Sequence, residues 1–457
     1  MTRRSKRKRK PLPAGLVQAR IESLTHDARG VARVNGKAVF IDGALPDEEV
    51  MFVYVDQHKR HDEGNLVQVL TPSVHRVEPR CVHFSDCGGC SLQHMDPAQQ
   101  IHAKQQMLLD SFAHIGKVTA ESLLPPLIGP QWGYRRKGRL GAKYVLKKSE
   151  MLVGFREKRG HYLAQLTHCE VLHPAVGERI MALRALLEGL HARLEIPQIE
   201  VAIGDKSGEG DHYTAALVFR NLVTLDEHDL ARLCEFGEQH GFQIYLQPGG
   251  YESVTLLWPT PLESMLSYGL PEYNLEMFFL PTDFTQVNAD LNRAMIRRAL
   301  VLLDPQSEDR ILDLFCGLGN FTLPLARHAG QVVGVEGDEK LVQRAGENAR
   351  HNGIANAKFH TADLNLSMDL MMNASWFGRG FNKILLDPPR TGALEIVKRL
   401  PEFGASRIVY VSCNPATLAR DAAELVHQHG YRLRSAGVMD MFPHTTHVES
   451  IALFEKK

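Results

Sequence analysis

Ile408-Val-Tyr-Val-Ser-Cys-Asn-Pro-Ala-Thr-Leu-Ala-Arg-Asp421 is the stretch whose reading decides the fold. Residues 407–411 are a short apolar, β-branched run and read as a buried strand. From Pro415 onward, Leu418, Ala422, Leu425 and Val426 recur at helical spacing. Proline stands in the first turn, where its missing N–H has no partner to lose. Cys413 therefore falls on the turn between a strand's C-terminal end and a helix N-terminus. In an open α/β sheet that edge binds ligands, and the positive end of the helix dipole favours a thiolate. Cys413 is thus a candidate nucleophile; a buried thiol acting as a small hydrophobe is the plainer alternative.

The same alternation extends through residues 281–457. Strand-like runs at 310–315, 332–336, 358–361, 383–387, 407–412, 431–439 and 448–454, with helical patterns between the early ones, predict a doubly wound α/β domain. The first strand leads into Asp313-Leu-Phe-Cys-Gly-Leu-Gly-Asn-Phe321. Gly-x-Gly after a strand lets backbone approach a nucleotide-like ligand, and Glu336, ending the next strand, is placed to accept from a ribose diol. That pair favours adenosine, as in S-adenosylmethionine (SAM) or a dinucleotide. Asp387-Pro-Pro-Arg390 ends the fourth strand in a stiff, extended loop whose carboxylate faces the cleft. Enzymes that methylate amino groups carry an aromatic residue where Arg390 stands, which speaks against an amino acceptor.

With 457 residues the chain exceeds a single core. No apolar run approaches eighteen residues, and no apolar segment follows the basic N-terminus, so neither a membrane span nor a secretory signal is expected. Seven cysteines without an export signal suit a reducing compartment, the cytoplasm. Formal net charge is zero, yet Arg3 to Lys10 holds seven basic side chains in eight positions. Residues 1–12 read as a basic disordered arm on an acidic body, suited to phosphate contact or simple solvation. Residues 13–72 alternate short β-runs (16–21, 37–41, 49–55) with turns such as Asn35-Gly36, predicting a small OB-like barrel that resembles a TRAM domain.

Residues 73–280 read as a central α+β domain. It contains Cys81-x5-Cys87-Gly-Gly-Cys90 and, later, Cys169. Four thiolates suit an iron–sulfur cluster or tetrahedral zinc, and spacing does not choose between them. The C-x3-C-x2-C pattern of radical SAM enzymes does not occur here. Residues 96–115 read as a helix. Trp132-Gly-Tyr-Arg-Arg-Lys-Gly-Arg-Leu-Gly-Ala-Lys-Tyr144 mixes basic and aromatic residues, fit either to bind RNA or to form a solvated strand face. Cys234 lies with Leu230, Leu233 and Phe236 on a helical stripe and reads as core packing.

Asp313-Leu-Phe-Cys-Gly-Leu-Gly-Asn-Phe, Leu386-Asp-Pro-Pro-Arg, Val411-Ser-Cys-Asn-Pro-Ala-Thr and His444-Thr-Thr-His-Val-Glu449, in this order, resemble the RNA uracil-5 methyltransferases. The resemblance covers the chain beyond the basic arm. A barrel together with the four cysteines is similar to the branch that acts on 23S ribosomal RNA. It implies an N-terminal TRAM barrel, a central domain with an Fe–S cluster and a C-terminal Rossmann-like SAM-dependent methyltransferase domain. It implies a [4Fe–4S] cluster on Cys81, Cys87, Cys90 and Cys169, and SAM contacts from Gln286 (in Phe-Thr-Gln-Val-Asn), Phe315, Asn320, Glu336, Asp363 and Asp387. Cys413 carries over as nucleophile and Glu449 as general base. The implied partner is 23S ribosomal RNA, with no membrane and no obligate protein partner. Another rRNA or tRNA site, a cytosine-5 RNA methyltransferase, or a non-enzymatic metal-containing RNA-binding protein are the alternatives. Cytosine-5 enzymes place the cysteine after Pro or Thr, unlike Ser412-Cys413-Asn414-Pro415.

Overall fold

The computed structural model describes residues 12–205, 213–262, 265–364, 377–378 and 380–457; the basic arm lies outside them. The chain forms two compact units, one of Met1–Phe84, Cys90–His102 and His444–Thr446, the other of Ser85–Gly89, Ala103–Pro443 and His447–Lys457.

The first unit is built on a six-stranded sheet in the order Val17–Arg20, Glu49–Gln57, His61–Thr71, Lys37–Asp42, Arg29–Val34, Ser23–Leu24. Its two outermost strands are consecutive in the chain, two residues apart, so the sheet curls back on itself as the barrel expectation requires. Ile21, Val39, Ile41, Val50 and Phe52 fill the inside, each fully buried. Asn35 and Gly36 both take positive φ (51° and 78°), the turn a two-residue hairpin demands. The strands Arg29–Val34 and His61–Thr71 escape a reading by hydrophobicity because Arg, Asp, Glu and Asn alternate through them.

The second unit carries the expected α/β domain. Its eight-stranded sheet runs Ala357–Thr361, Gln331–Glu336, Arg310–Leu314, Lys383–Leu386, Arg407–Ser412, Glu449–Lys456, Tyr431–Met439, Ser122–Leu123. The first five are mutually parallel, and Glu449–Lys456 joins antiparallel to Arg407–Ser412. The strand starting at Arg310 ends at Leu314, one residue before expectation, because Phe315 turns to φ 65°. A second sheet centres on Gln198–Asp205, paired with Tyr213–Arg220 and with Lys137–Val145. Both sheets share one core: Ala202, Val218 and Met277 pack with Met295 and Leu303 of the helix Ala289–Leu303 and with Ile311 and Val409. The helix in 96–115 is α-helical over Pro97–Ser111 and finishes in a wider π turn, Phe112–Gly116. Leu233 and Phe236 are buried on Glu227–His240, as the stripe implies, whereas Cys234 beside them is only half-buried and stands outside the core cluster rather than packing in it.

Two ties hold the sheet-edge loops. Asn414 caps the helix Pro415–Ala423 by accepting from the Ala416 amide at 3.1 Å, while its Nδ2 donates to the Arg390 carbonyl at 3.1 Å. The fully buried Asp421 accepts from the Tyr410 hydroxyl at 2.7 Å and the Ala393 amide at 2.8 Å, and pairs with Arg420. The Asp-Pro-Pro-Arg loop is therefore fastened to the cysteine turn from both sides. Asp421→Ala strands a buried hydroxyl and a buried amide, so it should cost about 3 kcal/mol. A urea midpoint lowered at unchanged slope is the expected reading; a loss under about 1 kcal/mol would show that the carboxylate is not holding these loops.

Candidate active site

Strand register brings the two candidate catalytic residues together. Ser412 pairs with Ser450 on the antiparallel ladder, so the next step outward sets Cys413 against Glu449. The Ser450 hydroxyl donates to the Ser412 carbonyl at 3.2 Å, and the Asn414 amide donates to the Ser412 hydroxyl at 3.1 Å, which closes the turn around the cysteine. Glu449 also faces Met439 on the neighbouring strand.

Both residues open into a cavity of about 820 Å³ at the C-terminal edge of the parallel strands. Its wall includes Gln286, Phe315, Asn320, Glu336, Asp363 and Asp387, so all six expected cofactor contacts meet Cys413 and Glu449 in one space. The glycine loop forms the floor. Gly317 has φ 53° and nothing within 4 Å of where a Cβ would stand, so its backbone lies open to a ligand. Glu336 accepts from the Gly317 amide at 3.1 Å and the Gly337 amide at 2.7 Å. These bonds hold its carboxylate at the rim. Asn320 accepts from the Tyr268 hydroxyl at 2.8 Å and exchanges two bonds with Asn292 at 2.9 and 3.0 Å, which fixes its amide.

The electrostatics overturn one expectation. Burial, then Glu449 and Asp387, push the Cys413 thiol up to about 11, although its own turn amide and Arg390 pull the other way. The helix end alone does not make this thiol acidic, because desolvation and two nearby carboxylates oppose it. Burial likewise raises Asp387 to about 7, with Glu336 adding to it, and raises Glu449 to about 8, with Asp387 adding and Lys104 opposing. A cavity rimmed by four carboxyl groups, with Arg390 as a cation in its wall, suits a positively charged ligand. Alkylation of Cys413 by iodoacetamide, followed by peptide mass spectrometry without cofactor, should accelerate about tenfold per pH unit above neutrality. A plateau already at neutral pH would mean that the thiolate is preformed.

Around the other cysteines, the glycines are pressed against backbone and ring. A Cβ on Gly88 would lie 3.0 Å from the Arg156 carbonyl oxygen, and one on Gly89 would lie 3.2 Å from the Phe155 ring. The Gly89 amide donates to Cys87 Sγ at 3.4 Å, a bond suited to a thiolate. Cys87 and Cys169 pack at the margin of the same core cluster. In the first unit the Cys81 amide donates to Gln93 Oε1 at 3.1 Å, and Cys90 is half-buried. Within the second unit, half-buried Cys87 and Cys169, with a glycine-tight loop and an amide-to-sulfur bond beside Cys87, have the chemistry of thiolate ligands.

The basic–aromatic stretch is partly committed inside the fold. Arg136 pairs with Asp205, and the Lys137 ammonium donates to the Asp283 carbonyl, while Arg139 reaches the Tyr251 hydroxyl at 2.6 Å. Sequence reading gave no role to Tyr268, Phe442 and His447, which line the cavity. His447 and Phe442 stand in or beside the last quoted motif, so proximity to Glu449 is the signal that could have found them. Tyr268, from a different sheet, left none.

The tRNA (Uracil-5-)-methyltransferase family pattern matches residues 272–457, and the TRAM domain pattern matches 17–52. A 23S rRNA (uracil(1939)-C(5))-methyltransferase RlmD from Methylococcus capsulatus is 54% identical over 449 residues, covering 98% of this chain and 99% of the relative. The protein of that name from Nitrosococcus oceani is 55% identical, covering 98% of each. Among solved structures, Pyrococcus abyssi tRNA (uracil-54, C5)-methyltransferase in complex with S-adenosyl-L-homocysteine superposes with a TM-score of 0.72. At 23% identity, covering 96% of this chain and 100% of that one, it shares the fold. With full-length relatives at this identity and a cysteine turn, acidic strand end and glycine loop gathered in one cavity, this chain belongs to the RNA (uracil-5-)-methyltransferase family, alongside the RlmD proteins.

Proposed function

We propose that this chain is a SAM-dependent methyltransferase that modifies C5 of uracil 1939 in 23S ribosomal RNA, acting in the cytoplasm. The observation that carries the reading is the ladder end at Ser412 and Ser450, beyond which Cys413 and Glu449 both line the cavity rimmed by Glu336 and Asp387. The choice of target rests on the relatives that match the chain from end to end. Among the described residues no helix is long and apolar enough to cross a membrane.

Uracil C5 is too weak a nucleophile to take a methyl group unaided. The Cys413 sulfur adds to C6, the C5–C6 double bond opens, and the electron pair collects on C5 and O4 as an enolate. When bound, SAM supplies an electrophilic methyl group to that carbon and a positive charge beside the carboxylates that keep the thiol protonated. Glu449 then takes the C5 proton, the double bond re-forms, and the Cys413 thiolate departs. A group near 8 suits that step, since the ionised form is accessible near neutral pH and remains basic. Glu336 is placed for a ribose diol, while Phe315, Gln286, Asn320 and Asp363 shape the rest of the wall. The target base must leave its stack to enter a site this enclosed. The basic arm and the barrel, which lie apart in sequence from the catalytic domain, supply RNA contacts.

Cys81, Cys87, Cys90 and Cys169 would hold a [4Fe–4S] cluster in a structural or RNA-positioning role. The support is the donor set, the Gly88-Gly89 loop and the amide bond to Cys87.

Cys413→Ala should form no covalent complex with RNA. Glu449→Gln should still add and methylate but release RNA about a hundredfold more slowly, leaving an SDS-resistant adduct that contains a methylated uracil. An adduct in Cys413→Ala would move the nucleophile elsewhere, and rapid turnover by Glu449→Gln would assign proton removal to another group. Protein purified without oxygen should be brown, with about four irons per chain; stoichiometric zinc without iron would overturn the cluster assignment.

A further inference from the structure

Lys104, on the helix Pro97–Ser111, is 1% exposed, yet no motif in the sequence marks it. A buried ammonium carries a large desolvation cost unless it is paired and hydrogen-bonded. Its Nζ donates to Asp440 Oδ1 at 2.7 Å and to the Phe442 carbonyl at 2.9 Å, and Asp440 is itself 3% exposed. The Asp440 amide donates to the Leu127 carbonyl at 2.8 Å, so the segment is gripped from two directions. The last ladder pair before this segment joins Met439 to Glu449. Residues 440–448 thus leave the sheet at the base's partner and re-enter at the base. Lys104 clamps the start of that excursion, and Phe442, whose ring stands 5.1 Å from that of His447, lines the cavity.

We infer that Lys104 is a positioning residue for proton removal: it clamps residues 440–442 against the cavity wall and supplies the fixed positive charge beside which Glu449 works as a carboxylate. The inference rests on Glu449 being the base. The cavity that holds Glu449 is also lined by Asp387 and Arg390 from one loop, Cys413 from the turn and His447 two residues before it, and the Lys104–Asp440 pair holds the segment that carries Phe442 of its wall. Burial, and then Asp387, drive the Glu449 carboxyl toward its protonated form, and Lys104 opposes that. Burial lowers the Lys104 ammonium itself, while Asp440 and Glu449 both support its charge. A lysine that merely stapled its helix to the sheet would leave the ionisation of Glu449 untouched.

The discriminating measurement is release of RNA from the covalent complex in single turnover, followed from neutral to alkaline pH. Lys104→Met removes both clamp and charge. Lys104→Gln keeps N–H donors for Asp440 and Phe442 but removes the charge, and decides the matter if the methionine variant does not fold. Both should release RNA about tenfold more slowly at neutral pH and recover at alkaline pH, with the midpoint raised by about one unit. A wild-type midpoint in a folded variant, however slow or unstable it is, would overturn the inference. Glu449→Gln runs alongside. If it traps RNA while the Lys104 variants keep the wild-type midpoint, only the role of Lys104 falls. If it releases RNA at the wild-type rate, the base assignment falls and takes this inference with it.

Discussion

The antiparallel ladder between Arg407–Ser412 and Glu449–Lys456 is the constraint on which the site depends. Side chains alternate across a sheet, so a slip of one residue would turn every side chain of a strand to the opposite face. The register is held by what the strands bury: Ile408 faces Phe454, Tyr410 faces Ala452, and Val411 faces Ile451, all at or near zero exposure. The placement of Cys413 and Glu449 is here a by-product of core packing. Both faces of these strands are buried, so shifting either one would force large apolar side chains out of the spaces they fit, and that misfit fixes Cys413 relative to Glu449.

Around this ladder the loops are tied to one another rather than left to solvent. Asn414 spans from its own helix to Arg390, and Asp421 gathers Tyr410, Ala393 and Arg420. The cost of this closure is electrostatic. Cys413, Asp387 and Glu449 sit where water is scarce, so each is driven toward its neutral form. Neutral groups are poor at nucleophilic addition and proton removal. A site of this kind needs positive charge to work, from a ligand or from a fixed cation such as Arg390 in its wall.

The parts legible in the sequence are those set by local pattern. The apolar, β-branched run at 407–412 marked its strand to the residue because that strand is buried almost throughout, and 431–439 matched as well, its first residues showing as the alternation of buried Tyr431 and Leu433 with exposed Arg432 and Arg434. Asn35-Gly36 marked its hairpin, since few other pairs accept two positive φ values in succession. The polar strands of the barrel did not show, nor did Ser122–Leu123, whose two residues pair in parallel with Ser435 and Ala436 from more than three hundred positions away. The eight candidate cofactor and catalytic residues were legible through motif resemblance; all but Gln286 and Asn320 lie within two residues of a strand end. At Cys413 a helix dipole is visible in sequence, whereas desolvation and the nearby carboxyl groups of Glu449 and Asp387, which oppose it, are not.

By itself, then, the sequence determined the α/β alternation, the turn that presents Cys413, the acidic strand ends and the identity of the thiols in the cysteine-rich stretches. These follow from periodicity and turn chemistry, which act over a few residues. The tertiary structure alone decided that Cys413 and Glu449 follow one ladder pair into a common cavity, that Tyr268 and Asn292 hold Asn320, and that a helix from the first quarter of the chain brings the Lys104 ammonium to Asp440. Ladder register, burial and Coulomb interaction depend on distances through space, and no local pattern encodes a distance between residues 104 and 440.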